Sequence, residues 1–198
     1  RREGIGRTSD RARSEPGSGR GVIFLVRHGE AAAGWGDHPD PGLSDLGKQQ
    51  ANAVAVALEN LGAKSAISSP MLRCRETALP FEQRMGLVAK VAPEVSEIDT
   101  PDDVEDRVAW LRTLMAGEWK GASHDFQGWR QAMLDFVTGL PDDTVVFSHF
   151  VAINALAGMI ESDPRVVVFR PGHCSVTQLS RTPTALHVAE YGSESATR

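Results

Sequence analysis

The sequence contains little cysteine and no long apolar run. Its 198 residues include two cysteines, Cys74 and Cys174, whose spacing matches neither a zinc site nor a disulfide framework. This scarcity is typical of a protein in the reducing cytoplasm, where we expect the chain to reside. No apolar stretch approaches the roughly 20 residues of a membrane span, so we expect no membrane association.

The sequence also lacks an excess of positive charge. Lysine and arginine number 21 against 26 aspartates and glutamates, a formal net charge of −5 at pH 7. No overall basic field favours nucleic acid, so an anionic ligand must be held by local positive groups. A Walker loop, an HExxH pair and an EF-hand loop are likewise missing from the sequence, and we expect neither metal nor cofactor.

The composition divides the chain into a short tail and one domain. Residues 1–20 are rich in Arg, Ser, Gly and Glu, with Ile5 as their only large apolar residue. Such a segment buries too little apolar surface to offset its ordering entropy, which predicts an unstructured tail or an artificial extension. Residues 21–198 are long enough for a single domain with a full hydrophobic core.

Strands and helices alternate along this domain. The pattern predicts an α/β fold: a three-layer sandwich with a mainly parallel sheet and helices on both faces. The predicted strands cover residues 22–26, 66–67, about 88–92, 144–147, 166–169, 175–180 and 185–190. Helices are predicted from the N-cap Ser44 to Gly62, from Ser69 with Pro70 at its first position, from Thr100 with Pro101 at its first position, and over about 125–138 and 151–160.

Two histidines follow buried strands directly. His28 follows the apolar run 22–26 after Arg27, and His149 follows the run 144–147 after Ser148. Ligands of open α/β sheets bind outside the carboxyl ends of the strands. The sequence therefore predicts a ligand site that contains both histidines.

A second arginine and a carboxylate occupy comparable positions. Arg73 lies in the first turn of the helix after strand 66–67, where a cation opposes the helix dipole unless an anion binds there. Glu97 lies just past strand 88–92. Two arginines, two histidines and a carboxyl group suit phosphoryl transfer, with an imidazole as nucleophile and the carboxyl group as proton donor.

At these residues the chain resembles the histidine phosphatase superfamily, also called phosphoglycerate mutase-like. The resemblance spans about residues 22–179 and rests on four motifs in order. These are Arg27-His28-Gly29, Leu43-Ser44-Asp45-Leu46-Gly47-Lys48-Gln49-Gln50-Ala51, Ser68-Ser69-Pro70-Met71-Leu72-Arg73-Cys74-Arg75-Glu76-Thr77-Ala78, and Ser148-His149.

The resemblance implies a role for each site residue. His28 would be the nucleophile that becomes phosphorylated, while Arg27, Arg73 and His149 would bind the phosphoryl group. By position, Glu97 would be the general acid and base, although Glu94 and Asp99 lie near enough in sequence to compete. The implied function is metal-independent hydrolysis of a small phosphate monoester, with a helical lid over about residues 100–130.

Several departures from the family pattern leave two alternatives open. Phe150 stands where glycine usually follows the second histidine, and Ala31-Ala32-Ala33 replace the hydroxyl residue and asparagine of mutases. These differences favour a phosphatase over mutase-type phosphoryl transfer. The other alternative is a noncatalytic phosphoryl-binding module. We expect structural or surface positions for His173 and His38, and the sequence specifies neither the leaving group nor the oligomeric state.

Overall fold

The computed structural model describes residues 21–34 and 38–195, so the predicted tail over residues 1–20 lies outside the described part. Within these residues, six strands and five α-helices follow one another along the sequence. They are β1 (Val22–Arg27), α1 (Asp45–Asn60), β2 (Ser65–Ser68), α2 (Leu72–Met85), β3 (Lys90–Val91), α3 (Arg107–Met115), α4 (Gln127–Thr138), β4 (Thr144–Ser148), α5 (Phe150–Glu161), β5 (Val176–Arg181) and β6 (Leu186–Glu190).

The strands form one sheet in the order β3-β2-β4-β1-β5-β6. The first four strands in this order run parallel to one another, whereas β5 and β6 are antiparallel to their neighbours. The prediction of a mainly parallel α/β sheet is therefore confirmed. The antiparallel β5 enters the sheet at the edge where β1 ends, which matters for the site.

Alternating side chains of β1 pack on the two sides of the sheet. Ile23 and Leu25 belong to a core cluster with residues of α4 and α5. Phe24 and Val26 belong to a second cluster with residues of α1 and α2. Because successive side chains of a strand point to opposite faces, this alternation places helices on both faces, as predicted.

The segment between β3 and α4 has its own aromatic cluster. The ring of Phe126 lies 6.1 Å from that of Trp110 and 6.2 Å from that of Trp119, which in turn lies 6.1 Å from Trp129. These aromatic side chains pack against a third core cluster, which includes Phe150 at the start of α5. The predicted lid over residues 100–130 remains a prediction.

Over the described residues, no helix is long and apolar enough to cross a membrane.

Two predicted helix starts are wrong. The helix predicted from Ser69 begins at Leu72 with Met71 as its N-cap, because the Ser69 hydroxyl lies 2.8 Å from His149 Nε2 and is used there. The helix predicted from Thr100 begins at Arg107. Its N-cap is Asp106, whose carboxylate accepts a hydrogen bond from the Ala109 amide at 2.9 Å.

The strand predicted at 166–169 is also wrong. A buried side chain replaces the strand partner, since Asn154 Oδ1 accepts hydrogen bonds from the backbone amides of Val168 at 2.7 Å and Phe169 at 3.0 Å. The amide of Val166 donates to the carbonyl oxygen of Gly117 at 3.0 Å. An apolar run can therefore satisfy its backbone groups without joining a sheet.

Two glycines allow the loop after β1 to lie against the start of α1. A Cβ atom added at Gly47 would lie 2.1 Å from the carbonyl oxygen of Glu30, and one added at Gly29 would lie 2.7 Å from that of Gly47. Both distances are far below van der Waals contact. Since both obstructing atoms are backbone, no side-chain movement would relieve either clash.

We predict that Gly47→Ala destabilises the fold and displaces the loop. Overpacking of this kind costs about 1–3 kcal/mol, measurable as a lower free energy of unfolding in urea. The control is Gly128→Ala, because Gly128 lies in α4 with no atom within 4 Å of an added Cβ and alanine favours helix. Equal stability of the two variants would contradict the close approach.

Candidate active site

The carboxyl edge of the sheet brings four predicted site residues together. The β1–β4 register pairs Arg27 with Ser148, so His28 and His149 follow neighbouring strand ends. The rings of these two histidines lie 5.3 Å apart, centre to centre. Arg73, from the first turn of α2, reaches both rings with its guanidinium. The predicted proximity of these groups is thus observed.

His28 is held as a neutral imidazole with a defined tautomer. Its Nδ1 lies 2.7 Å from the carbonyl oxygen of Gly29, which only accepts hydrogen bonds, so Nδ1 carries the proton. Burial, together with the charges of Arg73 and Arg27, lowers the pKa of His28 from 6.5 to about 3. The unprotonated Nε2 therefore keeps its lone pair, which is what a nucleophile at phosphorus requires.

Arg73 connects the two histidines. Its Nε donates to His28 Nε2 at 3.3 Å, the long end of the hydrogen-bond range, and one Nη donates to His149 Nδ1 at 3.2 Å. His149 therefore carries its proton on Nε2, which lies 2.8 Å from the Ser69 hydroxyl. Burial lowers the pKa of His149 well below its ordinary value. His149 is fully buried, so direct phosphate contact by this residue remains a prediction.

Arg27 is fixed by the segment before β5. One Nη donates to the carbonyl oxygen of Pro171 at 2.8 Å, and the other lies 3.0 Å from His173 Nε2. Its guanidinium carbon sits 5.1 Å from the centre of the Phe150 ring. Burial lowers the pKa of Arg27 to about 10, which leaves it charged at neutral pH. Its Nε is buried without a hydrogen-bond partner among the described residues.

Glu97 lies behind the site. Its carboxylate accepts hydrogen bonds from the amides of Val151 at 3.1 Å and Ala152 at 3.0 Å, in the first turn of α5, and from its neighbour Ile98 at 3.2 Å. Burial raises its pKa, although these amides oppose the shift. The sequence competitors Glu94 and Asp99 are exposed. The role of Glu97 as the acid remains a prediction, since its side chain does not line the pocket described next.

A pocket of about 600 Å³ opens in front of His28, Arg27 and Arg73. His173 and His38 also line it, so the expectation that both occupy ordinary structural or surface positions was incomplete. His38 is exposed at the pocket entrance. Among residues 21–34 and 38–195, no three His, Cys, Asp or Glu side chains are grouped as metal ligands.

The position of His173 follows from strand direction. β5 is antiparallel to β1 and pairs Val176 with Val26, so β5 begins where β1 ends. The backbone amide of Cys174 donates to the carbonyl oxygen of Arg27 at 2.9 Å. A histidine that lies just before an antiparallel strand therefore reaches the same sheet edge as residues that follow parallel strands. The position of His173 before the predicted strand 175–180 is the sequence signal that could have placed it there.

The remaining motif residues position the loop after His28. Gln50 accepts a hydrogen bond from the Glu30 amide at 2.8 Å, and the Ser44 hydroxyl donates to the Glu30 carboxylate at 2.7 Å while capping α1. Thr77 accepts from the Gly29 amide at 3.0 Å and donates to the Arg73 carbonyl at 2.6 Å. These bonds tie the nucleophile loop to α1 and α2.

Comparison with known families agrees with this site. The family model described as histidine phosphatase superfamily (branch 1) matches residues 23–193. The chain belongs to the histidine phosphatase superfamily. The match covers every site residue discussed above and extends through β5 and β6.

Sequence relatives resemble this superfamily member over different shares of its length. The probable phosphoglycerate mutase GpmB of Enterobacter sp. (strain 638) is 26% identical over 182 residues, which cover 79% of this chain and 83% of the relative. A PE-PGRS family protein of Mycobacterium tuberculosis is 41% identical over 89 residues, 41% of this chain but only 15% of that protein.

Solved structures show the same fold at lower identity. A mycobacterial glucosyl-3-phosphoglycerate phosphatase superposes with a TM-score of 0.71 at 21% identity, over 88% of this chain and 99% of that one. A putative alpha-ribazole-5'-P phosphatase from Escherichia coli K-12 gives 0.72 at 18% identity, over 91% and 100%. At these identities the likeness concerns the fold.

We predict that His173 acts on phosphate binding through Arg27. His173→Ala removes the acceptor next to the Arg27 guanidinium, and we expect KM for an aryl phosphate to rise about tenfold, since hydrogen bonds to charged groups contribute about 1.5–3 kcal/mol. His173→Gln retains an acceptor near the position of Nε2 and should restore most of the affinity.

The matched control is His124→Ala, because in the wild-type protein His124 pairs with Asp103 away from the pocket. This control should leave KM unchanged. A glutamine variant as defective as the alanine variant would contradict the positioning role, as would an alanine variant with normal KM.

Proposed function

We propose that this superfamily member is a metal-independent phosphatase that hydrolyses phosphate monoesters through a phosphohistidine on His28. The observation that carries the proposal is the neutral His28, whose Nε2 lone pair lies beside the buried guanidinium of Arg73, with the charge of the half-buried Arg27 nearby. A phosphoryl group carries its charge on equatorial oxygens that arginine forks bind well. The phosphatase names of two structural relatives support the same conclusion.

In the first proposed step, His28 Nε2 gives up its long hydrogen bond from Arg73 Nε and attacks phosphorus in line. The bond from phosphorus to the ester oxygen breaks, and we assign the proton that this oxygen takes to Glu97, whose carboxyl group must turn from the Val151 and Ala152 amides to reach it. The charges of Arg73 and Arg27 stabilise the equatorial oxygens, with His149 keeping Arg73 in place. Burial raises the pKa of Glu97, which favours the protonated form that this step needs.

In the second step, water attacks the phosphohistidine. Glu97, now ionised, takes the proton from the water, the P–N bond breaks, and inorganic phosphate leaves with His28 again neutral. Glu97 thus regains from the water the proton that it gave to the ester oxygen, and the second proton of the water remains on the released phosphate. The positive charge of the arginines is present in both steps, so the proposed reaction needs no metal ion.

Phosphoglycerate mutase activity is the second candidate, favoured by the name of the GpmB relatives. A mutase must keep water from its phosphoenzyme and pass the phosphoryl group to an alcohol. The pocket entrance is lined by the exposed His38 and Pro39, which favours access of water. Product analysis decides between the two, because a mutase yields an isomeric ester and a phosphatase yields free phosphate.

We predict that brief reaction with labelled substrate gives a phosphoenzyme that is acid-labile, base-stable and absent from His28→Ala. The label should form with chelator present. His38→Ala, which changes an exposed histidine at the pocket entrance, is the control and should still be labelled. Persistence of the label in His28→Ala would place the nucleophile on another residue.

We predict that Glu97 controls the alkaline side of the pH profile. A general acid must be protonated, so wild-type activity should fall as pH rises through the raised pKa of Glu97. Glu97→Gln should lose this dependence, and its rate of alkyl phosphate hydrolysis should fall by about 10²–10⁴-fold. The rate for aryl phosphates should fall less, because their leaving groups depend less on protonation. Glu94→Gln, at an exposed carboxylate, is the control. An unchanged profile in Glu97→Gln would remove the assignment.

A further inference from the structure

The pocket is much larger than the phosphate cage at its base. The cage occupies the end formed by Arg27, His28 and Arg73, whereas the whole pocket has a volume of about 600 Å³. Most of the remaining wall is small or apolar: Ala31, Ala32, Ala33, Gly34, Pro39 and Pro41. This outer part has room for a leaving group larger than a methyl or ethyl alcohol.

One cation lines this outer part. Arg107, the first residue of α3, is half-buried in the pocket wall. No hydrogen bond or ion pair joins its guanidinium to any residue within the described ranges. A cation in the first turn of a helix also opposes the helix dipole, so its position there is not explained by helix stability.

Two other polar side chains of the outer pocket, Glu30 and His38, each make a hydrogen bond within the protein. The Glu30 carboxylate accepts a hydrogen bond from the Ser44 hydroxyl at 2.7 Å. His38 Nδ1 accepts one from the Asp40 amide at 3.1 Å. Among the described residues of this outer wall, Arg107 is the cation, and its donors remain available for an anionic ligand.

We propose that Arg107 binds a second anionic group on the leaving-group side of the substrate, a carboxylate or a second phosphate. This inference rests on the proposed phosphatase function and narrows its substrate class. A guanidinium fork binds either anion through two parallel hydrogen bonds. An uncharged alcohol would leave that cation without a partner in a largely apolar wall, which costs binding free energy.

The test compares substrates that differ in one charge. D-3-Phosphoglycerate carries a carboxylate where glycerol 3-phosphate carries a hydroxymethyl group, and propane-1,3-diol bisphosphate is compared with propyl phosphate to test a second phosphate. We expect wild-type kcat/KM to favour the doubly anionic member of at least one pair by about 10- to 100-fold. The pair that shows the preference identifies the anion.

Arg107→Gln should abolish this preference and leave the singly anionic substrates within about twofold to threefold of wild type, which is below 1 kcal/mol. The matched control is Arg112→Gln, an exposed arginine on the same helix that does not line the pocket; it should keep the preference. Wild-type enzyme without a preference in either pair would overturn the inference, as would an equal loss on both members in Arg107→Gln.

Failure of the phosphatase proposal would look different. It would abolish hydrolysis of every ester, including aryl phosphates. Titration calorimetry with the matched non-hydrolysable phosphonates then measures the same ratio without turnover. A ratio that persists in wild type and disappears in Arg107→Gln supports the Arg107 site independently of catalysis, whereas equal affinities would refute it.

Discussion

The site depends on one buried cation between two neutral imidazoles. Arg73 is 7% exposed and donates to His28 Nε2 and His149 Nδ1, while its nearest carboxylate, Asp40, lies 3.9 Å away. A buried charge without a close counter-ion is costly. Protonation of either histidine would add to that cost, so burial together with the arginine charge keeps both neutral. An anion would relieve the same cost, so the arrangement is suited to phosphate.

The sheet determines how these groups meet. β2 and β1 flank β4 in parallel, and the residue after each flanking strand donates its amide to a carbonyl oxygen of β4. His28 donates to Ser148 and Ser69 donates to Phe147, both at 3.0 Å. The sequence predicts this convergence because parallel strands end together. The same reasoning does not predict His173, because His173 precedes a strand that is antiparallel and begins at this edge. Including the direction of that strand would have placed His173 correctly.

The errors in the predicted elements share a physical cause. Ser69 has the sequence context of an N-cap, yet its hydroxyl lies against His149. Residues 166–169 have the apolar pattern of a strand, yet the Asn154 amide takes the hydrogen bonds that a neighbouring strand would supply. In both cases a contact between residues far apart in sequence overrides a local preference. Local patterns carry no information about such partners, whereas strands such as Thr144–Ser148 are determined by their own apolar run.

The motifs and the leaving-group pocket obey different constraints. Gln50, Ser44 and Thr77 hold the loop that carries His28 through short hydrogen bonds, and Gly47 permits backbone contact where any side chain would clash. Such geometry tolerates few residue types, so the reaction can be inferred from the sequence. The outer pocket consists of small residues after β1 and of Arg107 from α3, and it imposes no comparable packing requirement. A pocket wall of this kind can change with the leaving group without disturbing the cage, because only the charge and size of its lining residues affect what binds there.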